Sequence, residues 1–138
     1  MSLWKRRKEQ KDKTKSNGII QENPDECVKM VENGFLKEVF LKDSVTDVSY
    51  NGLNFYALDN DIGRYRLNIE MSSDDVLIFI KKIANYMLQP FSNKQSSLDV
   101  SFGDYRLNAI HPSFARNNNK KVITFSLRNI WWFEKDAL

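Results

Sequence analysis

The clearest pattern in this 138-residue chain is a pair of alternating runs around Gly103-Asp104. Leu98, Val100 and Phe102 alternate with Asp99 and Ser101, and Tyr105, Leu107 and Ala109 alternate with Arg106 and Asn108. A period of two sends the two sets to opposite faces of a pleated sheet. The spacing predicts a tight hairpin, because glycine tolerates positive φ in a two-residue turn. One face is packed; Asp99, Arg106 and Asn108 turn away from it. Residues 121–127 repeat the pattern. There Ile123, Phe125 and Leu127 alternate with Thr124, Ser126 and Arg128, so Arg128 shares a face with Thr124 and Ser126.

Upstream, residues 45–50, 53–58 and 64–70 read as three further strands. Asn51-Gly52 is a strong hairpin signal between the first two, and residues 59–63 form the next turn. A first helix is expected from Asn23-Pro24-Asp25-Glu26: Asn23 caps, Pro24 takes the first helical position, and the two acids suit the positive end of the helix dipole. Val28, Val31, Phe35 and Val39 follow at helical spacing. Asn33-Gly34 divides this run, with a second helix expected over residues 35–42. A longer helix begins at Ser72, with Asp75 three residues on. Val76, Leu77, Phe79, Ile80, Ile83, Ala84, Met87 and Leu88 form its apolar stripe, Lys81, Lys82 and Asn85 lie off it, and Pro90 ends it. Helix, three strands, helix, three strands predicts an α+β fold: a mostly antiparallel sheet of about six strands, packed on one side against two or three helices.

Composition fits one globular domain, at 41% hydrophobic and 12% aromatic residues. The longest apolar run, residues 76–80, is far short of the ~18 residues of a membrane span. Charge changes the picture more. Residues 1–15 carry seven Lys or Arg against Glu9 and Asp12, whereas residues 16–138 carry 14 basic and 16 acidic groups. The basic character belongs to a leader, residues 1–22, expected to be disordered. Trp4 beside Lys5-Arg6-Arg7-Lys8 suits an interfacial anchor on anionic lipid or a contact with nucleic acid; the plainer reading is a solubilising leader. At the other end, Trp131-Trp132-Phe133 either dock on their own domain or form a patch awaiting a partner.

Candidate chemistry is sparse. There is no phosphate-binding loop and no G-x-G-x-x-G; the five glycines are scattered. Cys27 is the sole cysteine and His111 the sole histidine, too few for an internal disulfide, a cysteine-based metal site or a His-based triad. One thiol fits a reducing cytoplasm. Asp25, Glu26, Asp59, Asp61, Asp74 and Asp75 stand where caps and turns want acids. No catalytic residue and no metal ligand is assigned. The candidates that remain are Arg106 and Arg128, forked cations on rigid strands suited to phosphate or to a partner carboxylate. The plain alternative for each is a salt bridge on the sheet's outer face.

Three segments in register resemble the N-terminal domain of the type II/IV secretion ATPases. Val45-Thr46-Asp47-Val48-Ser49-Tyr50-Asn51-Gly52 is similar to their ITEIMVNG stretch, with Phe55-Tyr56-Ala57-Leu58 as the strand after it. The run from Leu98 to Pro112 resembles their VDARLPDGSRVNAIIPP. Thr124-Phe125-Ser126-Leu127-Arg128-Asn129-Ile130 resembles the LTIRKF segment that ends the domain. The likeness spans about residues 25–130. Gly103-Asp104 reverses the family's Asp-Gly, Asn129 replaces a basic residue, and His111 stands where an apolar one is preferred.

The resemblance implies a domain, residues 23–130, that helps to build a hexameric ring and lends basic residues to nucleotide held on a RecA-like motor domain. Residues 131–138 then read as a linker toward that motor. By position, Arg106 and Arg128 would contact phosphate with Asn108 in support. No cofactor is expected in this chain; ATP and Mg belong to the implied full-length ATPase. The partners implied are its own motor domain, neighbouring subunits and other secretion or conjugation components. The implied location is the cytoplasm, with the leader a candidate for the inner face of the membrane. Two rival readings stand beside this: a free-standing adaptor of a secretion or conjugation apparatus, and nucleic-acid binding through the leader.

Overall fold

A computed structural model of the protein describes residues 20–117 and 120–130. Among them the order is α1 (Pro24–Asn33), β1 (Val45–Tyr50), β2 (Phe55–Asp59), β3 (Gly63–Leu67), α2 (Ser73–Tyr86), β4 (Ser97–Phe102), β5 (Tyr105–Ile110), the short strands β6 (Arg116–Asn117) and β7 (Lys120–Lys121), and β8 (Thr124–Asn129). Six strands form one sheet in the order β3-β2-β1-β8-β5-β4, every neighbour antiparallel. β6 and β7 pair as a separate ribbon between β5 and β8. This is the α+β architecture expected from the patterning.

The two faces follow from the register. Tyr65, Ala57, Val48, Leu127, Leu107 and Val100 form one continuous cross-strand row; Leu67, Phe55, Tyr50, Phe125, Ala109 and Leu98 form the next. These rows share the core with Cys27 and Val31 of α1 and Val76, Phe79, Ile80, Ile83 and Ala84 of α2. Fully buried side chains such as Leu107 and Leu127 each contribute about 1.5–3 kcal/mol relative to exposure. Both helices therefore sit on this inner face. Phe35 extends the core by packing edge-on against Phe55 and Phe79, at 5.6 and 4.9 Å between centroids.

Local chemistry explains most element ends. Ser72 caps α2 by accepting from Asp75 N at 3.2 Å. α2 closes at Tyr86, four residues before Pro90, in a Schellman arrangement: Leu88 N donates to Asn85 O, Gln89 N donates to Ala84 O, and Leu88 takes φ +54. Gly103 supplies φ +56 in the two-residue β4–β5 turn, where Phe102 pairs with Tyr105.

Four expectations are corrected. Residues 35–42 are turns rather than a second helix. Lys37 N bonds to Gly34 O and Val39 N to Leu36 O, i+3 closures that bring Leu36 and Phe35 to the core without a continuous helical face. Asn23 makes no side-chain cap; its backbone N–H instead donates to Tyr86 O at 2.8 Å, tying α1 to the end of α2. The β1–β2 turn takes four residues rather than two, because Asn51 Oδ1 accepts from both Leu53 N and Asn54 N. β3 ends its pairing at Leu67, three residues short of residue 70.

Candidate functional site

On the other face of the sheet, two polar rows run across the strands. One reads Arg66, Tyr56, Ser49, Ser126, Asn108, Asp99, and the other Arg64, Leu58, Asp47, Arg128, Arg106, Ser101. Among the described residues no helix covers this face, and Leu58 and Ile110 lie exposed on it. The structure thus brings the three residues singled out from sequence into one place. Arg106 and Arg128 are directly opposite partners across β5 and β8; Asn108 lies one step along on the same face, opposite Ser126.

Each arginine is held by a carboxylate of its own sheet. Arg106 donates from Nε and an Nη to Asp99 Oδ1 and Oδ2, at 3.1 and 2.9 Å. That forked bond keeps the Asp99 carboxyl below the usual carboxylate range and the guanidinium above its own. Arg128 donates from Nε to Asp47 Oδ1 at 3.0 Å, and Asp47 Oδ2 accepts from the Thr46 hydroxyl at 2.8 Å. Thr46 is the extra residue of a bulge between Val45 and Asp47. Bulges re-aim side chains, and here both Val45 and Thr46 are buried while Asp47 faces Arg128. Like charges directly opposite on neighbouring strands are destabilising; the flanking aspartates offset that cost. The two arginines thus occupy neighbouring register positions, each bonded to its own carboxylate: Asp99, about half exposed, and Asp47, only 13% exposed.

Patterning did not single out the carboxylate partner on β1, or Arg64 and Arg66. The signal was present: Asp47, Ser49, Tyr56, Leu58, Arg64 and Arg66 occupy the outward phase of their strands. Their grouping needs the strand order.

Other candidates take structural places. Cys27 is buried, its thiol pushed up to about 12 mainly by burial and secondarily by Glu26, which leaves it a poor nucleophile. His111 is half-buried; its Nδ1 accepts from Ser113 N at 3.2 Å, and its ring stands edge-on to Phe91 at 5.2 Å. Burial, then the nearby Lys81 charge, lowers its proton affinity. Asp59 sits at the β2–β3 turn, as expected of a turn acid, but is buried. Oδ1 accepts from Asp61 N at 2.8 Å and Oδ2 meets Lys42 Nζ at 2.7 Å. Among the described residues no group of three or more His, Cys, Asp or Glu is placed to hold a metal, and no helix is long and apolar enough to cross a membrane. Trp4, Lys5, Arg6, Arg7 and Lys8, and Trp131, Trp132 and Phe133, lie outside the described residues.

No protein-family model and no curated protein matches the sequence. Solved structures do share the fold. The match to the VirB11 ATPase from the Brucella suis type IV secretion system, crystallised in complex with sulphate, has a TM-score of 0.57 at 14% sequence identity. It covers 74% of this chain and 31% of that one, so this chain is similar in fold to less than a third of a type IV secretion ATPase.

Proposed function

We infer that this chain serves as the N-terminal assembly and nucleotide-capping domain of a hexameric type IV secretion or conjugation ATPase, active in macromolecular transfer only when joined to a motor domain. The observation that carries the reading is the Arg106–Arg128 pair: two arginines at directly opposed register positions on an uncovered sheet face. Two adjacent arginines kept against their mutual repulsion suit the clustered negative charge of a polyphosphate. Asn108, beside them, adds an amide donor.

In this reading the domain performs no hydrolysis itself. It contributes positive charge toward a phosphoryl group bound elsewhere, lowering the barrier as negative charge shifts in the transition state. Phosphate oxygens compete with Asp99 and Asp47 for the guanidinium donors, so the pair engages fully only where the motor presents nucleotide. The likeness in fold to a VirB11 ATPase supports this placement, as do the three sequence segments that resemble secretion ATPases.

The test has two arms. The native reading frame should continue past Leu138 into a motor domain with a phosphate-binding loop. In that longer protein, Arg106→Gln and Arg128→Gln should each lower kcat at least about tenfold while leaving ring assembly intact on sizing. The isolated 138 residues should hydrolyse no ATP. Wild-type turnover in both variants overturns the phosphate role. A stop codon after Leu138 overturns the ATPase reading in favour of a free-standing adaptor.

A further inference from the structure

β3 is one edge of the six-stranded sheet, and its alternation outlasts its pairing. The ladder to β2 ends at Leu67. Alternating half-buried and exposed positions continue through Asn68, Ile69, Glu70 and Met71, and Leu67, Ile69 and Met71 all pack against the core. Residues 68–71 make no backbone hydrogen bond to another described residue. The chain here is a strand in its side chains and an unpaired edge in its backbone.

Different chemistry lies on its two sides. On the open side, Arg66 stands directly opposite Tyr56, and the Arg64 guanidinium lies over the Tyr56 ring at 4.3 Å. Unlike Arg106 and Arg128, neither has a carboxylate partner among the described residues. This face holds four arginines against Asp47, Asp99 and, past the ladder, Glu70, in a region of the chain where acids outnumber bases. On the inner side, a groove of about 450 Å³ runs by Leu67 and Ile69; Phe35 and Val39 give it an apolar floor, while Lys37, Glu38 and Asn68 make part of its lining polar.

Natural edge strands are blunted by shortness, by charged side chains, by proline, by bulges or by inward-pointing charge. β3 has no proline, bulge or inward charge: its register with β2 is unbroken from Gly63 to Leu67, and its protection is the outward pair Arg64 and Arg66. Such charges repel a basic strand and attract an acidic one.

We propose that β3 and its continuation accept an extended acidic segment of a partner protein as an additional strand. Acidic side chains at two alternate positions face Arg64 and Arg66, and apolar side chains between them enter the groove beside Leu67 and Ile69. Strand addition draws affinity from backbone pairing and specificity from alternate side chains. Glu70 shares the outward phase with the arginines and sets the register, since the partner position opposite it is neutral or basic. Stacking on Tyr56 already orders Arg64, so less side-chain freedom is lost on binding. Single-stranded nucleic acid could also use arginines beside an aromatic ring, but it would leave the backbone edge and the apolar positions Leu67 and Ile69 unused. The two-sided chemistry therefore favours a peptide.

The test is fluorescence anisotropy on the full chain with a labelled peptide of about ten residues, with Glu, Glu, Ser and Lys at successive alternate positions, opposite Arg64, Arg66, Asn68 and Glu70, and Val between them. Saturable binding is expected with Kd on the order of micromolar. The double variant Arg64→Glu/Arg66→Glu should weaken it at least about tenfold and instead bind the peptide with each Glu replaced by Lys. N-methylation of the alternate amides facing β3 should abolish binding to the unaltered protein, which decides the matter even where the double variant does not fold. Amide shifts on binding should concentrate at residues 63–71. Arg106→Glu should leave the affinity unchanged, separating this surface from the proposed phosphate site. The proposal is overturned by no saturation up to about 1 mM, by equal affinity for the N-methylated peptide, by indifference to the charge swap, or by single-stranded DNA displacing the peptide at lower concentration.

Discussion

Arg106 and Arg128 face each other directly across β5 and β8, yet their guanidinium groups bond outward in opposite directions. Arg106 reaches Asp99 on β4, and Arg128 reaches Asp47 on β1. The sheet thus holds a like-charged pair in place with one carboxylate on each flank. The Arg106–Asp99 pair is open to solvent, its side chains 53% and 54% exposed, whereas Asp47 beneath Arg128 is only 13% exposed. Exposed pairs exchange partners readily and are screened by salt.

Releasing one flank should therefore make the pair a better anion site. In Asp99→Asn, sodium sulphate should raise the melting temperature more than it does for the unaltered protein, with ionic strength matched by sodium chloride. Differential scanning fluorimetry measures this. Equal responses would show that Asp99 does not restrain Arg106, and Arg128→Gln should remove most of the gain.

The Asp59–Lys42 contact predicts an acid-sensitive fold. The Lys42 hydrogen bond is the main cause holding the Asp59 carboxyl at about 2, below the usual carboxylate range. A carboxyl with a lowered folded value stabilises fully above its unfolded value and loses that contribution as pH falls toward the folded one. Lys42 is raised by the same bond, so its share is lost only as pH rises past the ordinary ammonium range. Urea midpoints should fall between about pH 5 and pH 2, and less steeply in Asp59→Asn. Parallel slopes in the two proteins would remove Asp59 from the account.

Leu88 is a helix-terminal residue in the wrong backbone region for its type. It takes φ +54 in the Schellman closure of α2, where glycine is usual, and it is 46% exposed. Leu88→Gly should raise the unfolding free energy by about 0.5–1 kcal/mol, the relieved left-handed strain exceeding the packing lost. Chemical denaturation reads it directly; a lower midpoint would mean that the half-buried leucine contributes more than the strain costs.

Gly103 is the opposite case. It combines φ +56 with a close approach, since a Cβ there would lie 2.6 Å from Val28 Cγ2 on α1. Gly103→Ala should cost about 1–2 kcal/mol, from backbone strain and from displacing Val28. Pairing it with Val28→Ala should recover the steric part but not the strain, a non-additivity that a double-mutant cycle measures.

Period-two patterning placed Arg106, Asn108 and Arg128 on outward phases, and period 3.6 placed the buried stripe of α2, because those properties depend only on local backbone geometry. Ser72, Pro24 and Gly103 likewise act within a turn or two of themselves. Residues 35–42 carried an equally helical spacing, but the burial of Leu36 and Phe35 in short turns overrode it. Strand order was not local at all. β8 inserts between β1 and β5, pairing Asp47 with Arg128 across 81 positions of sequence. That insertion turns two isolated arginines into an opposed pair, and it makes β3 an edge with two uncompensated arginines. Alternation tells a strand which face to bury, and one residue of slip would invert it. It does not say which strand lies alongside; only closure of the whole core beneath the sheet decides that.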